Sequence, residues 1–291
     1  LGLIDACGDD AKAFVHTPFT SDINPLGAEQ VQHSAWCTAK GRMQASFLAW
    51  REAEDFQLVV SGDLEAAVLK RLQMFVLRSK VSLRNLTASR LLLGLAGPQA
   101  AEALGDAGLP CPLAPMTTTT GHQVSVIALE ANRYIIAATM EALPALWHKL
   151  TLKARPAGLP AWRWLDIQAG FPLVTAATRE EFVPQMADFE KLGGISFHKG
   201  CYPGQEIVAR TQYLGKVKRH LYRIHGEQLL EAGADLHSPD NPDQACGKIV
   251  SGAPSPAGGY EALAVVQSNF AANLHLGSSD GPRLEAVAVN P

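Results

Sequence analysis

Two strands followed by a helix occur twice in the first half of the chain, and this repeated pattern limits the possible folds more than any other feature. In the first copy, apolar alternation predicts strands at 42–51 and 56–61 and an amphipathic helix at 63–75. The corresponding segments of the second copy are 123–130, 133–138 and 141–152. Further strands are predicted at 36–38, 80–85 and 91–96, and a helix at 99–104. Two open-faced units of this kind predict an α+β fold.

The last quarter of the chain has a different pattern. Short alternating segments separated by Gly, Pro, Asn and Asp predict strands at 220–225, 248–251, 262–266 and 285–289. No long helix is expected there. The pattern is typical of a small β-barrel or β-sandwich, with a domain boundary near 215–220.

Composition and cysteine use exclude several classes of protein. The chain has 291 residues, 47% of them apolar, and a net charge of −3, which gives no general attraction to nucleic acids. Its five cysteines are dispersed without a CxxC or zinc pattern, which predicts a reducing, cytoplasmic setting and no metal site. It also argues against a resident iron–sulfur cluster. No apolar run approaches the roughly 20 residues that span a bilayer.

The segment 199–210 concentrates unusual chemistry around one thiol. Cys201 follows Gly200 and precedes Pro203-Gly204, which predicts a tight type II turn. Positive charge that would favour the reactive thiolate comes from His198, Lys199 and Arg210. A reactive cysteine and a small buried apolar residue in a glycine-rich turn are both consistent with this segment. A Cys–His hydrolase is a weaker alternative, because no protease signature surrounds the thiol.

The residues KGCYPGQE at 199–206 strongly resemble the KGCYxGQE signature of the YgfZ family. These folate-binding proteins are linked to iron–sulfur cluster assembly or repair and to some tRNA modification. They are relatives of the glycine-cleavage T protein, an aminomethyltransferase. The runs at 182–186 and 192–197 are also similar to that family, and a weaker resemblance extends over nearly the whole chain.

The resemblance implies a fold with two interleaved α+β domains, a central folate channel and a C-terminal barrel. On this basis, residues 1–30 and 91–215 form the folate-binding-like domain. Residues 31–90 form an inserted ββαβ domain, and residues 216–291 form the barrel. The implied cofactor is tetrahydrofolate or a one-carbon derivative.

One group of candidate folate ligands lies at 162–172. A folate site needs aromatic faces, hydrogen-bonding groups for the pterin edge and a cation for the glutamate tail. If 164–168 is a strand, Trp164, Asp166 and Gln168 share one face. The alternative is an edge strand with Trp164 packed in the core. In the T protein the similar stretch is R-L-E-A-G, whose glutamate contacts the pterin, and Gln168 stands at that position.

A second group of candidates surrounds the thiol. The resemblance implies that Cys201 is the functional residue and that Lys199 favours its thiolate. Arg42, in the family-like Lys40-Gly41-Arg42, is either a ligand for an anion or a surface residue where a hairpin begins. The remaining candidates, which shape the loop or contact folate, are Tyr202, Gly204, Gln205 and Glu206.

Besides Gln168, two further departures from the T protein argue against glycine-cleavage activity. Ala45 and Ser46 stand where the T protein has an acidic pair in its first hairpin. Cys201 and Gln205 replace the Asp and Arg of the similar K-G-D-F-I-G-R-E stretch. Aminomethyl transfer needs groups that position and protonate the amine leaving group, and these are missing.

Three functions follow as hypotheses. The first is a tetrahydrofolate-binding protein that supports iron–sulfur enzymes, with those enzymes or cluster-assembly factors as partners and no classical enzyme activity. The second is a folate-dependent one-carbon transferase, and the third is a non-catalytic adaptor. Neither a membrane nor direct nucleic-acid binding is predicted. The local basic set is interpreted as a solvated strand edge: Lys216, Lys218, Arg219, His220 and Arg223.

Overall fold

The computed structural model describes residues 1–213, 215 and 217–289, so Lys216 of the predicted basic set lies outside the described residues. The chain forms two compact units. One comprises Leu1–Ser34 and Phe47–Pro156, and the other comprises Ala35–Ser46 and Ala157–Pro291. Of the helices that the structure describes, none combines the length and apolar character needed to cross a bilayer.

The first unit contains two helices and most of a five-stranded sheet. Its strands are β1 (Gly2–Cys7), β2 (Val31–Cys37), β3 (Met43–Glu52), β4 (Asp55–Val60) and β5 (Ser82–Asn85). They lie in the order β2-β3-β4-β1-β5. The helices α1 (Ala11–His16) and α2 (Glu65–Gln73) pack against β1 and its neighbours. The internal strand β1 was not predicted, because its residues are buried on both faces and show no alternation.

The second sheet of this unit repeats the strand-pair-and-helix pattern, as predicted. Its strands are β6 (Arg90–Ala96), β7 (Thr117–Thr120), β8 (Val124–Glu130) and β9 (Arg133–Thr139). They lie in the order β6-β9-β8-β7 and pack against α3 (Ala100–Asp106) and α4 (Leu143–Leu150). Leu104, Ile136 and Leu146 are central to this core. Pro144 lies in the first turn of α4, where its missing N–H costs little.

The second unit joins two helices to a closed barrel, which confirms the predicted C-terminal β-barrel. The helices are α5 (Leu159–Gln168) and α6 (Gln205–Tyr213). The barrel strands are β10 (Arg219–Gly226), β11 (Asp235–His237), β12 (Gly247–Pro254), β13 (Tyr260–Gln267), β14 (Leu274–Leu276) and β15 (Arg283–Ala288). Their order is β10-β13-β12-β11-β14-β15, closed by the β10–β15 pair. The three-residue strands β11 and β14 were missed because they are too short to show alternation.

The prediction of a strand at 164–168 was wrong, because this segment is the second half of α5. Pro160 lies in the first turn of the helix, and Gly170 follows its end with a φ of +66°. The N–H of Phe171 donates to the Asp166 carbonyl at 2.9 Å and that of Gly170 to Ile167 at 3.1 Å, which closes the helix in a Schellman motif. The proline near the start of this segment and the glycine after its end both indicate a helix. The strand interpretation gave more weight to Trp and Ile, which favour strands.

A buried ion pair joins the two sheets of the first unit. Arg90 on β6 donates through Nη1 to Glu52 Oε2 on β3 at 2.5 Å. Ser125 on β8 donates to Glu52 Oε1 at 2.6 Å and accepts from Arg90 Nη2 at 2.7 Å. Burial raises the pKa of Glu52, but the hydrogen bonds from Arg90 and Ser125 outweigh it and hold that pKa below its usual value. The network is therefore charged, and both oxygens of the Glu52 carboxylate are hydrogen-bonded, whereas Arg90 Nε is buried without a hydrogen-bond partner among the described residues.

Replacing Arg90 with Ala is expected to destabilise the protein by about 3–5 kcal/mol, because it leaves the Glu52 carboxylate without its charge partner. Lys80→Ala is the matched control, since Lys80 forms an exposed pair with Asp9 at 3.4 Å. Loss of that surface pair should change stability by less than about 1 kcal/mol. Urea unfolding followed by circular dichroism measures both. Equal effects of the two variants would contradict a stabilising role for the Glu52–Arg90 pair.

Candidate functional site

The loop before α6 turns its cysteine outward and its neighbours inward. Cys201 is exposed, whereas Tyr202 is 5% exposed and Lys199 is 8% exposed. The Nζ atom of Lys199 lies 5.4 Å from the centroid of the Tyr202 ring, a cation–π contact. Burial of the two side chains on either side of Cys201 fixes the direction of the loop. The thiol is therefore held at the surface by its neighbours.

The predicted turn at Pro203-Gly204 is present. The N–H of Gln205 donates to the carbonyl of Tyr202 at 3.1 Å, and Gly204 has a φ of +81°, as the third position of a type II turn requires. The chain then continues directly into α6, whose first turn includes a hydrogen bond from the Val208 N–H to the Gly204 carbonyl at 3.1 Å. The cysteine thus precedes a helix, which was not predicted.

Gly204 touches the tip of the β2–β3 hairpin backbone to backbone. A Cβ atom on Gly204 would lie 2.6 Å from the Cα of Gly41 and 2.7 Å from its N, and would also collide with the Thr38 carbonyl oxygen. Gly41 itself has a φ of +72°, and a Cβ there would lie 3.0 Å from Ile207 on α6. Both glycines are therefore required for the close approach of the loop to the hairpin.

Arg42 fastens the same hairpin to the segment around Phe182. Its Nη1 donates to the carbonyls of Glu180 at 3.2 Å and Glu181 at 2.6 Å. The backbone of Met43 pairs with the same segment, donating to the Phe182 carbonyl and accepting from the Glu180 N–H, both at 2.8 Å. The exposed Arg42 guanidinium is thus held by backbone carbonyls, a contact that neither sequence interpretation included.

Three buried polar atoms near this contact have no hydrogen-bond partner among the described residues. They are the Tyr202 hydroxyl and the side-chain oxygens of Gln44 and Gln185. The other ends of the two amides are occupied: Gln44 donates to the Cys37 carbonyl at 3.1 Å and Gln185 to the Val208 carbonyl at 2.7 Å. Because buried polar atoms are normally paired, these three identify places for ordered water or a polar ligand.

Burial keeps the Tyr202 hydroxyl and the Cys37 thiol neutral. It raises the pKa of Tyr202 strongly, with a smaller contribution from the nearby Cys37 thiol. Burial also raises the pKa of Cys37 to about 12. Tyr202 therefore keeps its hydroxyl proton and can donate it to an acceptor.

Gln205 and Glu206 occupy the first turn of α6. Gln205 Nε2 donates to the Lys199 carbonyl at 3.4 Å, so it ties the start of the helix back to the loop. Glu206 is exposed. The structure thus brings Lys199, Tyr202, Gly204 and Gln205 together around the Cys201 loop.

The other predicted ligands lie on α5, against the barrel. Trp164 and Gln168 share a face of the helix, because residues four positions apart lie close together around the helix axis. Asp166 lies on a different face, because residues two positions apart are rotated by about 200° about that axis. Gln168 donates to Glu261 Oε2 on β13 and accepts from Arg223 Nη1 on β10 at 3.0 Å. The amide of Gln168 is therefore bound at both ends.

Glu261 supplies the carboxylate among the side chains that join α5 to the barrel. Ser255 donates to its Oε1 at 2.7 Å. Burial raises the pKa of Glu261, but the hydrogen bonds from Ser255 and Gln168, with the charge of Arg223, outweigh burial, hold that pKa below its usual value and keep the group ionised. Sequence reasoning missed Glu261 and Arg223, because no local pattern indicates that two barrel strands meet α5.

The two positions at which the sequence resemblance implies acids in the T protein are structural here. Ala45 and Ser46 are both buried on β3. The Ser46 hydroxyl accepts a hydrogen bond from the Val174 N–H at 2.9 Å. Ser46 therefore holds a neighbouring backbone segment and offers no carboxylate.

One group of potential metal ligands occurs among the described residues, in the first unit. It comprises Asp5, Cys7 and Asp55, whose ligand atoms lie within 4.8 Å of one another. Arg84 donates to Asp5 Oδ2 through Nε at 2.8 Å, and Gln57 donates to Asp5 Oδ1 at 2.6 Å. A guanidinium therefore already neutralises the buried acid, and the group has no feature that favours a metal.

Gly204→Ala is expected to destabilise the protein by about 2–4 kcal/mol, from the positive φ and the collision with the hairpin. Gly200→Ala is the control on the other side of Cys201, because a Cβ at Gly200 would meet nothing within 4 Å. Its effect should stay within about 1 kcal/mol. Denaturant unfolding compares the two, and a Gly204→Ala variant as stable as Gly200→Ala would show that the contact is not required.

Comparisons with known proteins agree with this architecture. The family model for the GCVT N-terminal domain matches residues 1–193. The tRNA-modifying protein YgfZ of Yersinia pestis (strain Pestoides F) is 34% identical over 238 residues, which cover 80% of this chain and 72% of that protein. The protein of the same name from Cronobacter sakazakii is 33% identical over 233 residues, covering 79% and 70%.

A solved structure shares the fold. The crystal structure of glycine cleavage system aminomethyltransferase T from Bartonella henselae superposes with a TM-score of 0.74 and 22% identity, covering 99% of this chain and 82% of that one. This likeness concerns the fold alone. The sequence matches show that the chain belongs to the YgfZ family, and the solved structure shows that it has the fold of the glycine-cleavage T protein.

Proposed function

We propose that this protein binds tetrahydrofolate and supports the assembly or repair of iron–sulfur clusters in target enzymes, and thereby some tRNA modification. The relatives named tRNA-modifying protein YgfZ support the last part of the proposal. The observation that carries it is the exposed Cys201 in a loop whose direction is fixed by two glycines and two buried neighbours. The cytoplasmic location remains a prediction from the dispersed cysteines.

Exposure separates Cys201 from the other cysteines of the chain. Cys37 and Cys246 are buried, and Cys7 and Cys111 are partly buried. Burial raises the pKa of the thiols of Cys7, Cys37 and Cys246, which keeps them protonated and unreactive. Cys201 is the thiol that a protein partner could reach. In this proposal it acts on or with a partner.

The residues present fit the chemistry of a folate. The pterin of tetrahydrofolate donates hydrogen bonds along one edge and carries a ring that stacks on aromatic side chains, and the bound cofactor would supply one-carbon chemistry. An ionised carboxylate, Glu261, lies beside an indole, Trp164, and the unpaired oxygens of Gln44 and Gln185 can accept further hydrogen bonds. These residues would hold the group by hydrogen bonds and ring contact.

Glu261 is the proposed carboxylate for the pterin edge. The T protein supplies a glutamate where this chain has Gln168, and an amide alone lacks the negative charge. The Gln168 amide contacts Glu261, so a carboxylate is present beside that position although it comes from the barrel. In this proposal the negative charge that contacts the pterin comes from Glu261 on β13 and not from the α5 position of Gln168. Gln168 instead positions the Glu261 carboxylate.

The alternative of an aminomethyltransferase has less support. The proton-handling acids of the T protein hairpin are replaced here by the buried Ala45 and the backbone-binding Ser46. Aminomethyl transfer would need an acid at the amine leaving group. We therefore assign no transferase step to this chain.

Cys201→Ala is expected to abolish support of iron–sulfur enzymes in cells while leaving tetrahydrofolate affinity within about twofold, because the thiol points outward. The activity of a radical iron–sulfur tRNA-modifying enzyme, measured in a strain that lacks this protein, gives the first readout, and calorimetry gives the second. Cys7→Ala is the control, since Cys7 lies outside the loop. Full support by Cys201→Ala would overturn the assignment of the thiol.

Glu261→Gln is expected to weaken tetrahydrofolate binding by about tenfold to a hundredfold, because it removes a charged hydrogen-bond acceptor worth about 1.5–3 kcal/mol. Glu227→Gln in the same barrel is the control, with a side chain that is 82% exposed. Calorimetric titration compares the two. Equal affinity of both variants would mean that the pterin edge is bound elsewhere.

A further inference from the structure

An exposed apolar turn follows α2 in the first unit. Met74 is 71% exposed, Phe75 is 54% exposed and Leu77 is 87% exposed. Isolated apolar residues on a surface are ordinary, but here three exposed apolar residues lie within four positions of one turn. The preceding helix is well packed, because its Val68 and Leu72 are buried. The exposure is therefore confined to the turn.

Hydrogen bonds hold this turn in a defined shape. The N–H of Phe75 donates to the Leu72 carbonyl at 2.9 Å, that of Val76 to Gln73 at 3.2 Å and that of Ser79 to Val76 at 2.8 Å. Leu77 has a φ of +41°, in the left-handed region that costs a leucine about 1–2 kcal/mol. The backbone thus directs the most exposed apolar side chain of the turn toward solvent, although this conformation is unfavourable for it.

Positive charge surrounds the patch. The segment 70–80 contains four cations and no acid, although the whole chain has a net charge of −3. Lys70 and Arg78 are exposed on either side of the apolar residues. Lys80 pairs with Asp9 at 3.4 Å, so its charge is largely cancelled and it is not counted with the surface. The charge complementary to this surface is negative.

We propose that this surface, defined by Lys70, Met74, Phe75, Leu77 and Arg78, docks an acidic segment of a partner protein that also carries apolar side chains. A partner protein fits better than RNA, because Met74 and Leu77 neither stack well on bases nor donate to phosphates. Apolar residues at the centre with charges at the rim are the usual anatomy of a protein interface. The proposal concerns a surface of the first unit and is independent of folate and of Cys201.

Binding of defined probes tests the proposal. The probes are a fluorescent amphipathic helical peptide of leucine and glutamate, a matched peptide of leucine and lysine, and a tRNA transcript. Fluorescence anisotropy should show that the full chain binds the acidic peptide at least about tenfold more tightly than the basic peptide. Binding should weaken as salt is raised, because the rim charges are exposed.

Two variants localise the binding. Leu77→Asn removes the apolar group while keeping a residue that tolerates the left-handed backbone, and Arg78→Glu reverses a rim charge. Each should weaken the acidic peptide about tenfold. Lys12→Glu on α1 makes the same charge reversal at an exposed position outside the patch and should change affinity less than about twofold.

Three results would overturn the proposal. The first is no preference for the acidic peptide over the basic one. The second is equal weakening by Lys12→Glu and Arg78→Glu, which would indicate attraction by net charge alone. The third is tRNA binding that Leu77→Asn and Arg78→Glu weaken while peptide binding is unchanged, which would make the surface an RNA site. Circular dichroism of each variant excludes unfolding as the cause.

Discussion

The contact between Gly204 and the hairpin tip at Gly41 determines the geometry of the Cys201 loop. Both residues have positive φ, and a side chain on Gly204 would collide with the Thr38 carbonyl and the Gly41 backbone. The same turn starts α6 and leaves Tyr202 buried and Cys201 exposed. Arg42, bound to two backbone carbonyls, keeps the hairpin in position. A two-residue turn thus specifies where the thiol lies.

The fold is that of an aminomethyltransferase, but the polar residues are arranged differently. Ser46 binds the Val174 backbone where the T protein has an acid. Gln168 has an amide in place of a glutamate, and Glu261 from the barrel lies against that amide. These substitutions remove proton-handling groups and retain a carboxylate near an aromatic ring. In the function proposed here, they favour ligand binding over transfer of an aminomethyl group, with the thiol as the added chemical group.

Local chemistry could be predicted from the sequence, and long-range contacts could not. Pro203-Gly204 predicted its turn because proline and glycine restrict the backbone by themselves. The longer barrel strands were predicted because alternation of apolar and polar residues is also a local pattern. The helix α5 was mistaken for a strand because Trp and Ile outweighed its flanking proline and glycine. Glu261 was missed because it meets Gln168 across 93 residues of sequence. The unpaired oxygens of Gln44 and Gln185 depend on tertiary burial, for which the sequence has no signal.

The most direct test of the account is calorimetric titration of the wild-type protein with tetrahydrofolate. The account predicts saturable binding of one equivalent with a dissociation constant in the micromolar range, which corresponds to about −8 kcal/mol. It also predicts that no aminomethyl group is transferred when a donor is added. Absence of binding by correctly folded protein would contradict the assignment of Trp164, Glu261 and the buried unpaired oxygens to a folate.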